Sequence, residues 1–193
     1  VLGIGEFARG PGQSVNLAGS GIPVTLTNAA GVNKISFTLA YNPELLVVSG
    51  VTSGLSGAVL NADLSVPGLI QVTLTGVSGL TNAATEVVRL TAQVPAGAIA
   101  EQYGAKHILD LRDIKLNDGA VQVRDDDGLH VAAYLGDTSG NAAYSTYDVQ
   151  HLQRVVVKLD RGFGAYPLAD PMIIGDVNAN GALTAFDTRT LLQ

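Results

Sequence analysis

Several short stretches of this chain alternate apolar and polar residues with a strict period of two. In residues 34–41, Ile35, Phe37, Leu39 and Tyr41 fall on one face and Lys34, Ser36 and Thr38 on the other, while Ile70, Val72 and Leu74 alternate with Gln71, Thr73 and Thr75. That period marks a half-buried strand. Further apolar runs rich in Val, Leu and Ile predict strands at 22–28, 45–51, 86–94, 107–114, 120–123 and 129–134. Gly, Asn, Pro and Asp separate the runs, with no amphipathic helix of any length between them. Parallel strands need crossover helices. Residues 1–134 are therefore predicted to form an all-β sandwich of the jelly-roll kind.

The texture changes after Gly136. Val149, Leu152, Val155 and Val156 recur at helical spacing and predict a helix over 148–159, although Val155, Val156 and Val157 are weak helix formers. A Gly- and Pro-containing stretch, 160–171, follows, and then the pattern repeats. Asp137 recurs thirty-nine residues on as Asp176, and at the same offset Ser139 matches Asn178, Asn141 matches Asn180 and Tyr144 matches Leu183. Ser145 likewise matches Thr184, Tyr147 matches Phe186, Asp148 matches Asp187 and Leu152 matches Leu191. Chemistry is kept at every aligned position, the mark of an internal duplication.

Each copy opens on twelve residues, 137–148 and 176–187, with the oxygen spacing of a calcium loop. Ca2+ takes about six to eight oxygens, supplied from positions 1, 3, 5, 7, 9 and 12 of such a loop. The first loop offers Asp137, Ser139, Asn141, the carbonyl of Ala143, Ser145 and Asp148. The second offers Asp176, Asn178, Asn180, the carbonyl of Ala182, Thr184 through a water, and Asp187. Two calcium ions are thus expected. A single loop of this kind is also an ordinary Asn/Gly turn, and the duplication is what argues for the ion. With two carboxylates per loop each ion is just neutralised, which sets affinity near the weak end, around 10⁻⁴ M. Gly181 stands at position 6, where the chain favours positive φ, whereas the first loop has Ala142 there. That misfit costs on the order of 1 kcal/mol and predicts that the first site is the weaker. Tyr144 and Leu183, at position 8, are placed to pair the loops.

Composition narrows the function classes. A formal charge of −6 and a pI near 4.8 exclude a surface able to neutralise nucleic-acid phosphates. No Cys is present, which excludes disulfides and thiolate metal sites. No apolar run approaches the roughly 18–20 residues of a membrane span. The start at Val1 without Met and the stop within an apolar pattern predict a fragment or processed product with a truncated C-terminus.

Residues 136–193 resemble dockerin modules: the loop–helix unit is duplicated, Gly-Asp opens each loop, Asp rather than Glu stands at position 12, and residues 130–135 enter the first loop as a strand rather than a helix. The resemblance implies a small α-helical module with two EF-hand-type loop–helix units at 135–193. It also implies recognition through positions 10 and 11, here Thr146, Tyr147, Ala185 and Phe186, with packing between the helices as the alternative role for Tyr147 and Phe186. Residues 1–134 in turn resemble cohesins, in the strand 35–41 running into Tyr41-Asn42-Pro43-Glu44-Leu45, in Gly68 followed by 69–75, and in Asn117-Asp118-Gly119-Ala120-Val121. Asn42 departs from the more usual Asp.

The joint resemblance implies a non-catalytic, calcium-dependent recognition module of an exported bacterial scaffold or surface protein, extracellular or on the cell surface. Its partner would be a cohesin or dockerin domain of another or the same chain. Two alternatives are a calcium-stiffened adhesin segment docked on itself and a carbohydrate-binding sandwich with a dockerin anchor. The second is disfavoured by the absence of Trp.

Other signals carry little. Gly3-Ile4-Gly5 through Ala8 mimics a dinucleotide fingerprint, but Arg9-Gly10-Pro11-Gly12 leaves it no following helix. His107, His130 and His151 read as structural. Asp125-Asp126-Asp127 reads as a solvated turn, with a third cation site as the alternative. Ser56 sits in a loop, and Glu44, Glu86 and Glu101 show no catalytic pairing.

Overall fold

A strand conformation is what sends Ile35, Phe37 and Leu39 to one side and Ser36 and Thr38 to the other, and the computed structural model realises it. The structure describes residues 1–99 and 102–192; Ala100, Glu101 and Gln193 lie outside the described residues. The strands are β1 (Leu2–Ile4), β2 (Phe7–Ala8), β3 (Ile22–Leu26), β4 (Lys34–Ala40), β5 (Val47–Ser53), β6 (Val59–Val66), β7 (Leu69–Thr75), β8 (Thr85–Gln93), β9 (Lys106–Leu116), β10 (Asp125–Asp126) and β11 (Gly128–Val131). The α-helices among the described residues are α1 (Thr146–Val156), α2 (Pro171–Gly175) and α3 (Ala185–Leu191).

The chain divides into two units. The first comprises Val1–Gly5, Ser14–Pro95 and His107–Leu129; the second comprises Glu6–Gln13, Ala96–Lys106 and His130–Gln193.

In the first unit one sheet has the order β10-β1-β3-β8-β5, and the other runs β9-β4-β7-β6. β4 pairs antiparallel with β7 without a break, from Lys34 opposite Thr75 to Ala40 opposite Leu69. The inner faces supply the core: Ile22, Val24 and Leu26 from β3, Ile35, Phe37 and Leu39 from β4, Ile70, Val72 and Leu74 from β7, and Val88 and Leu90 from β8 are all buried. Each such side chain contributes about 1.5–3 kcal/mol.

The structure moves several predicted elements. Residues 120–123 form no strand, only a single bridge from Val121 to Leu116. Asn117, Asp118 and Gly119 all have positive φ just before them and turn the chain out of the sheet. The strand predicted from residue 45 starts at Val47, because Leu45 and Leu46 close a turn on the Asn42 carbonyl, at 3.1 Å each. Asp125 and Asp126 are an edge strand in parallel pairing with β1, not a solvated turn, and Asp127 accepts the Leu111 N–H at 2.8 Å.

The second unit holds β2 in parallel with part of β11, Phe7 opposite His130 and Ala8 opposite Val131. β11 ends at Val131, three residues before the predicted end. α1 begins two residues earlier than predicted, because Ser145 caps it, and ends at Val156, where Val157 closes it and Lys158 turns left-handed at φ 61°. α2, one turn long, leads into the second loop with Asp170 as its N-cap and Pro171 in its first turn; no helical period in the sequence announces it.

Candidate functional site

The two loops repeat one hydrogen-bond plan. Asp137 Oδ2 accepts the N–H of Ala142, and Asp176 Oδ2 accepts that of Gly181, each at 2.8 Å. Asn141 and Asn180 each accept the N–H two residues on, at 2.9 and 3.0 Å. Asp148 takes the N–H of Ser139 at 2.9 Å and of Ser145 at 2.8 Å, and Asp187 takes those of Asn178 at 3.2 Å and Thr184 at 2.8 Å. Positions 9 and 12 therefore also form the capping box of the helix that follows, for α1 and for α3 alike.

Pairing of the loops rests on the glycines that open them. A Cβ on Gly136 would meet the Leu191 side chain at 2.8 Å, and one on Gly175 would meet Leu183 at 2.9 Å and Leu152 at 3.0 Å. Gly136 N–H also donates to the Ile174 carbonyl at 2.8 Å. The leucine of each helix thus packs on the glycine that opens the other loop, a close approach that only glycine allows.

Backbone strain is shared equally between the loops. The first has Gly140 and Ala142 at positive φ, and the second has Ala179 and Gly181. Each loop carries one alanine in the left-handed region, at position 6 in the first and position 4 in the second. The strain predicted to weaken the first site therefore does not separate the two.

Their surroundings do differ. Asp137, Asp148 and Asp187 are fully buried, whereas Asp176 is half-buried. The first loop is held by residues from elsewhere in its unit: the Tyr103 hydroxyl donates to Asp137 Oδ2, and the Tyr166 hydroxyl donates to the Asp137 carbonyl at 2.8 Å. Burial and then the bond to Asp137 push the Tyr103 phenol far up, so it stays a donor. Burial works to raise the Asp148 pKa, but hydrogen bonds from Ser139 and Ser145 outweigh it and hold the carboxyl below its usual range. None of the four loop carboxylates is ion-paired to a side chain among the described residues. No three His, Cys, Asp or Glu side chains gather at one point there. Each loop thus offers a pair of carboxylates plus neutral Ser, Thr, Asn and backbone oxygens, a hard-oxygen set suited to Ca2+.

Thr146, Tyr147, Ala185 and Phe186 stand on the first turns of α1 and α3. All four are exposed, Tyr147 to 60% and Phe186 to 67%; Tyr147 leans on His151 with ring centroids 4.9 Å apart. His130 is fully buried and stacked on Phe7 at 4.8 Å.

The first unit presents a second candidate surface, which sequence reasoning missed. Register places Asp63, Gln71, Thr38 and Arg112 in one outward row across β6, β7, β4 and β9, and Asn61, Thr73, Ser36 and Lys115 in the next. Asn61, Asp63, Gln71 and Thr73 line a shallow depression on it. The signal was present as alternation of Leu60, Ala62 and Leu64 with Asn61, Asp63 and Ser65.

A family model for the cohesin domain matches residues 8–123. The chain belongs to the cohesin family. Cohesin domains are non-catalytic modules of protein–protein interaction. Solved structures share the fold at low identity. A non-cellulosomal cohesin from the archaeon Archaeoglobus fulgidus is 18% identical, with a TM-score of 0.56 over 75% of this chain and 98% of that one. The sixth cohesin of scaffoldin B from Acetivibrio cellulolyticus, solved with a Cel5 dockerin, is 16% identical, with a TM-score of 0.54 over 67% and 95%. A type I cohesin–dockerin complex from Clostridium thermocellum gives 12%, 0.56, 69% and 92%. No curated protein matches the sequence. The cohesin match ends before either loop begins.

Proposed function

We propose that this cohesin and its loop–helix pair form a calcium-dependent recognition unit of an exported scaffold or surface protein, with Ca2+ ordering the loops. The observation that carries the calcium reading is three fully buried carboxylates, Asp137, Asp148 and Asp187, with no cationic side chain paired to them among the described residues. Hydrogen bonds from the loops satisfy the oxygens of these groups, but they leave the negative charge without a counter-charge, and buried charges are as a rule paired or bound to metals. Asp137, Ser139, Asn141, Ser145 and Asp148 would hold one ion, with Asp176, Asn178, Asn180, Thr184 and Asp187 holding the other, each with its position-7 carbonyl (Ala143, Ala182). The ion supplies positive charge that fixes each loop; no chemistry is asked of it.

The duplicated loop–helix plan, the Gly-Asp openings and the exposed Thr146, Tyr147, Ala185 and Phe186 support reading the second unit as dockerin-like. The partner is then a dockerin for the outward sheet rows of the first unit, and a cohesin for the exposed first turns of α1 and α3, on another chain or on the same one. Rows of Thr, Ser, Asn, Gln and Asp offer hydrogen bonds in a fixed register, which suits a structured protein partner. A sugar-stacking platform is poorly supplied, since Phe37 and Tyr41 are the aromatic residues of the first unit and Phe37 is buried.

Thermal unfolding in saturating Ca2+ and in chelator tests the calcium reading. A rise in Tm of about 5–10 °C with Ca2+ is expected from mass action, and an unchanged Tm removes it. Sedimentation in the same two buffers then reports association: mass that grows with concentration supports partner binding between chains, and a monomer at every concentration points to docking within one chain.

A further inference from the structure

The two loops treat their first carboxylate differently. Asp176 accepts two backbone donors, the N–H of Asn180 at 3.0 Å and of Gly181 at 2.8 Å. Asp137 accepts five: the Ser139 hydroxyl at 3.1 Å, the N–H groups of Gly140 at 2.9 Å, Asn141 at 3.3 Å and Ala142 at 2.8 Å, and the Tyr103 hydroxyl. An ionised carboxylate has about four lone-pair sites. Asp176 keeps lone pairs for a cation, while Asp137 is saturated by its own protein.

Tyr103 is the donor among these five that comes from outside the loop. It is fixed from three sides. Its hydroxyl accepts the Tyr134 N–H at 3.0 Å, its ring lies 5.7 Å from that of Tyr134, and Gly104 N–H donates to the Ala132 carbonyl at 3.0 Å next to it. A donor held this firmly does not swing aside for an ion without breaking the bond to Tyr134 as well.

We propose that Tyr103 sets the calcium affinity of the first loop: by donating into Asp137 it keeps that loop closed on itself, so the second loop fills first. The first loop acts as a standing structural element, and the second acts as the sensor of calcium concentration. This rests on the calcium reading of the loops given above, and Tyr103 is a positioning residue in it, acting through Asp137.

Gly140 and Gly181 lie in the first and second loop, so their amide resonances report the two sites separately in one titration of the intact chain with CaCl2. The Gly181 resonance is expected to move at a Ca2+ concentration about tenfold below that needed for Gly140, about the worth of one hydrogen bond to a charged group. Tyr103→Phe keeps the ring and removes the donor; it is expected to bring the Gly140 midpoint down about tenfold and leave the Gly181 midpoint in place. If Gly140 moves first or together with Gly181 in the native chain, the proposal is overturned. A Gly140 midpoint that stays or rises in Tyr103→Phe, with the amide spectrum otherwise native, overturns it too. Should neither glycine respond at saturating CaCl2, the calcium reading itself fails, an outcome distinct from two glycines that respond alike.

Discussion

At His107 the fold selects a neutral ring. Its Nδ1 accepts the Asn42 N–H at 3.1 Å, which requires that nitrogen to be unprotonated, and burial pushes the pKa down to about 4. The unfolded ring takes up its proton near 6.5. Stability from this group is therefore whole above about pH 6.5, falls as the pH drops towards 4, and is constant below. The ring is partly exposed, so the loss is about 1–2 kcal/mol after screening by water. Urea unfolding at several pH values should show this slope in the native chain and lose it in His107→Gln; equal slopes in both would refute the assignment. The sequence already read His107 as structural. Tyr103 was not legible, because nothing local to it announces a carboxylate thirty-four residues away. Ala179 was not legible either: a left-handed alanine looks like any other alanine until the loop closes around it.

Elements were legible where two physical signals agreed. β4 and β7 combine strict alternation with burial of one face, and both appear close to their predicted bounds. β6 alternates too, but it packs only small or half-buried side chains and is flanked by Gly, so its period was faint. Residues 120–123 had the composition of a strand and the wrong backbone before them. The helices show the same logic at their starts, since the Ser145 and Thr184 capping boxes fix them more sharply than the valine-rich pattern fixes the end of α1. Between elements, the glycine contacts make a quantitative claim. Gly175→Ala forces a methyl group against Leu183, Leu152 and Phe163 and is expected to lower stability by about 1–3 kcal/mol. Gly164→Ala, where an added Cβ meets nothing within 4 Å, serves as the control and should stay within about 0.5 kcal/mol. Equal melting temperatures for the two variants would show that the loops do not depend on that close approach.

On the scale of the whole molecule, the order of a β-rich front and a loop–helix tail was legible from the change in period after Gly136. The membership of the units was not. The second unit draws on Glu6–Gln13 and Ala96–Lys106 as well as on the tail, and two tyrosines and a lysine within it tie the three stretches together. Tyr134 donates to the Pro11 carbonyl at 3.4 Å, Tyr103 donates to Asp137, and Lys106 donates to the Pro167 carbonyl at 2.6 Å. A fragment of residues 135–193 lacks all but the last stretch. Expressed alone, it is expected to lose the near-ultraviolet tyrosine signal and to melt without a cooperative transition; a fragment that unfolds cooperatively at the native temperature would count against this.

That threading has a consequence for inheritance. A cassette that recombination can lift out and join to a new neighbour has to be one uninterrupted run of codons. The tail fails that condition, because two of the stretches that complete its unit are encoded upstream, one across the start of the cohesin match and one inside it. No single cut before the tail therefore lifts the second unit out whole, and joining residues 135–193 alone to a new neighbour would leave two of its stretches behind.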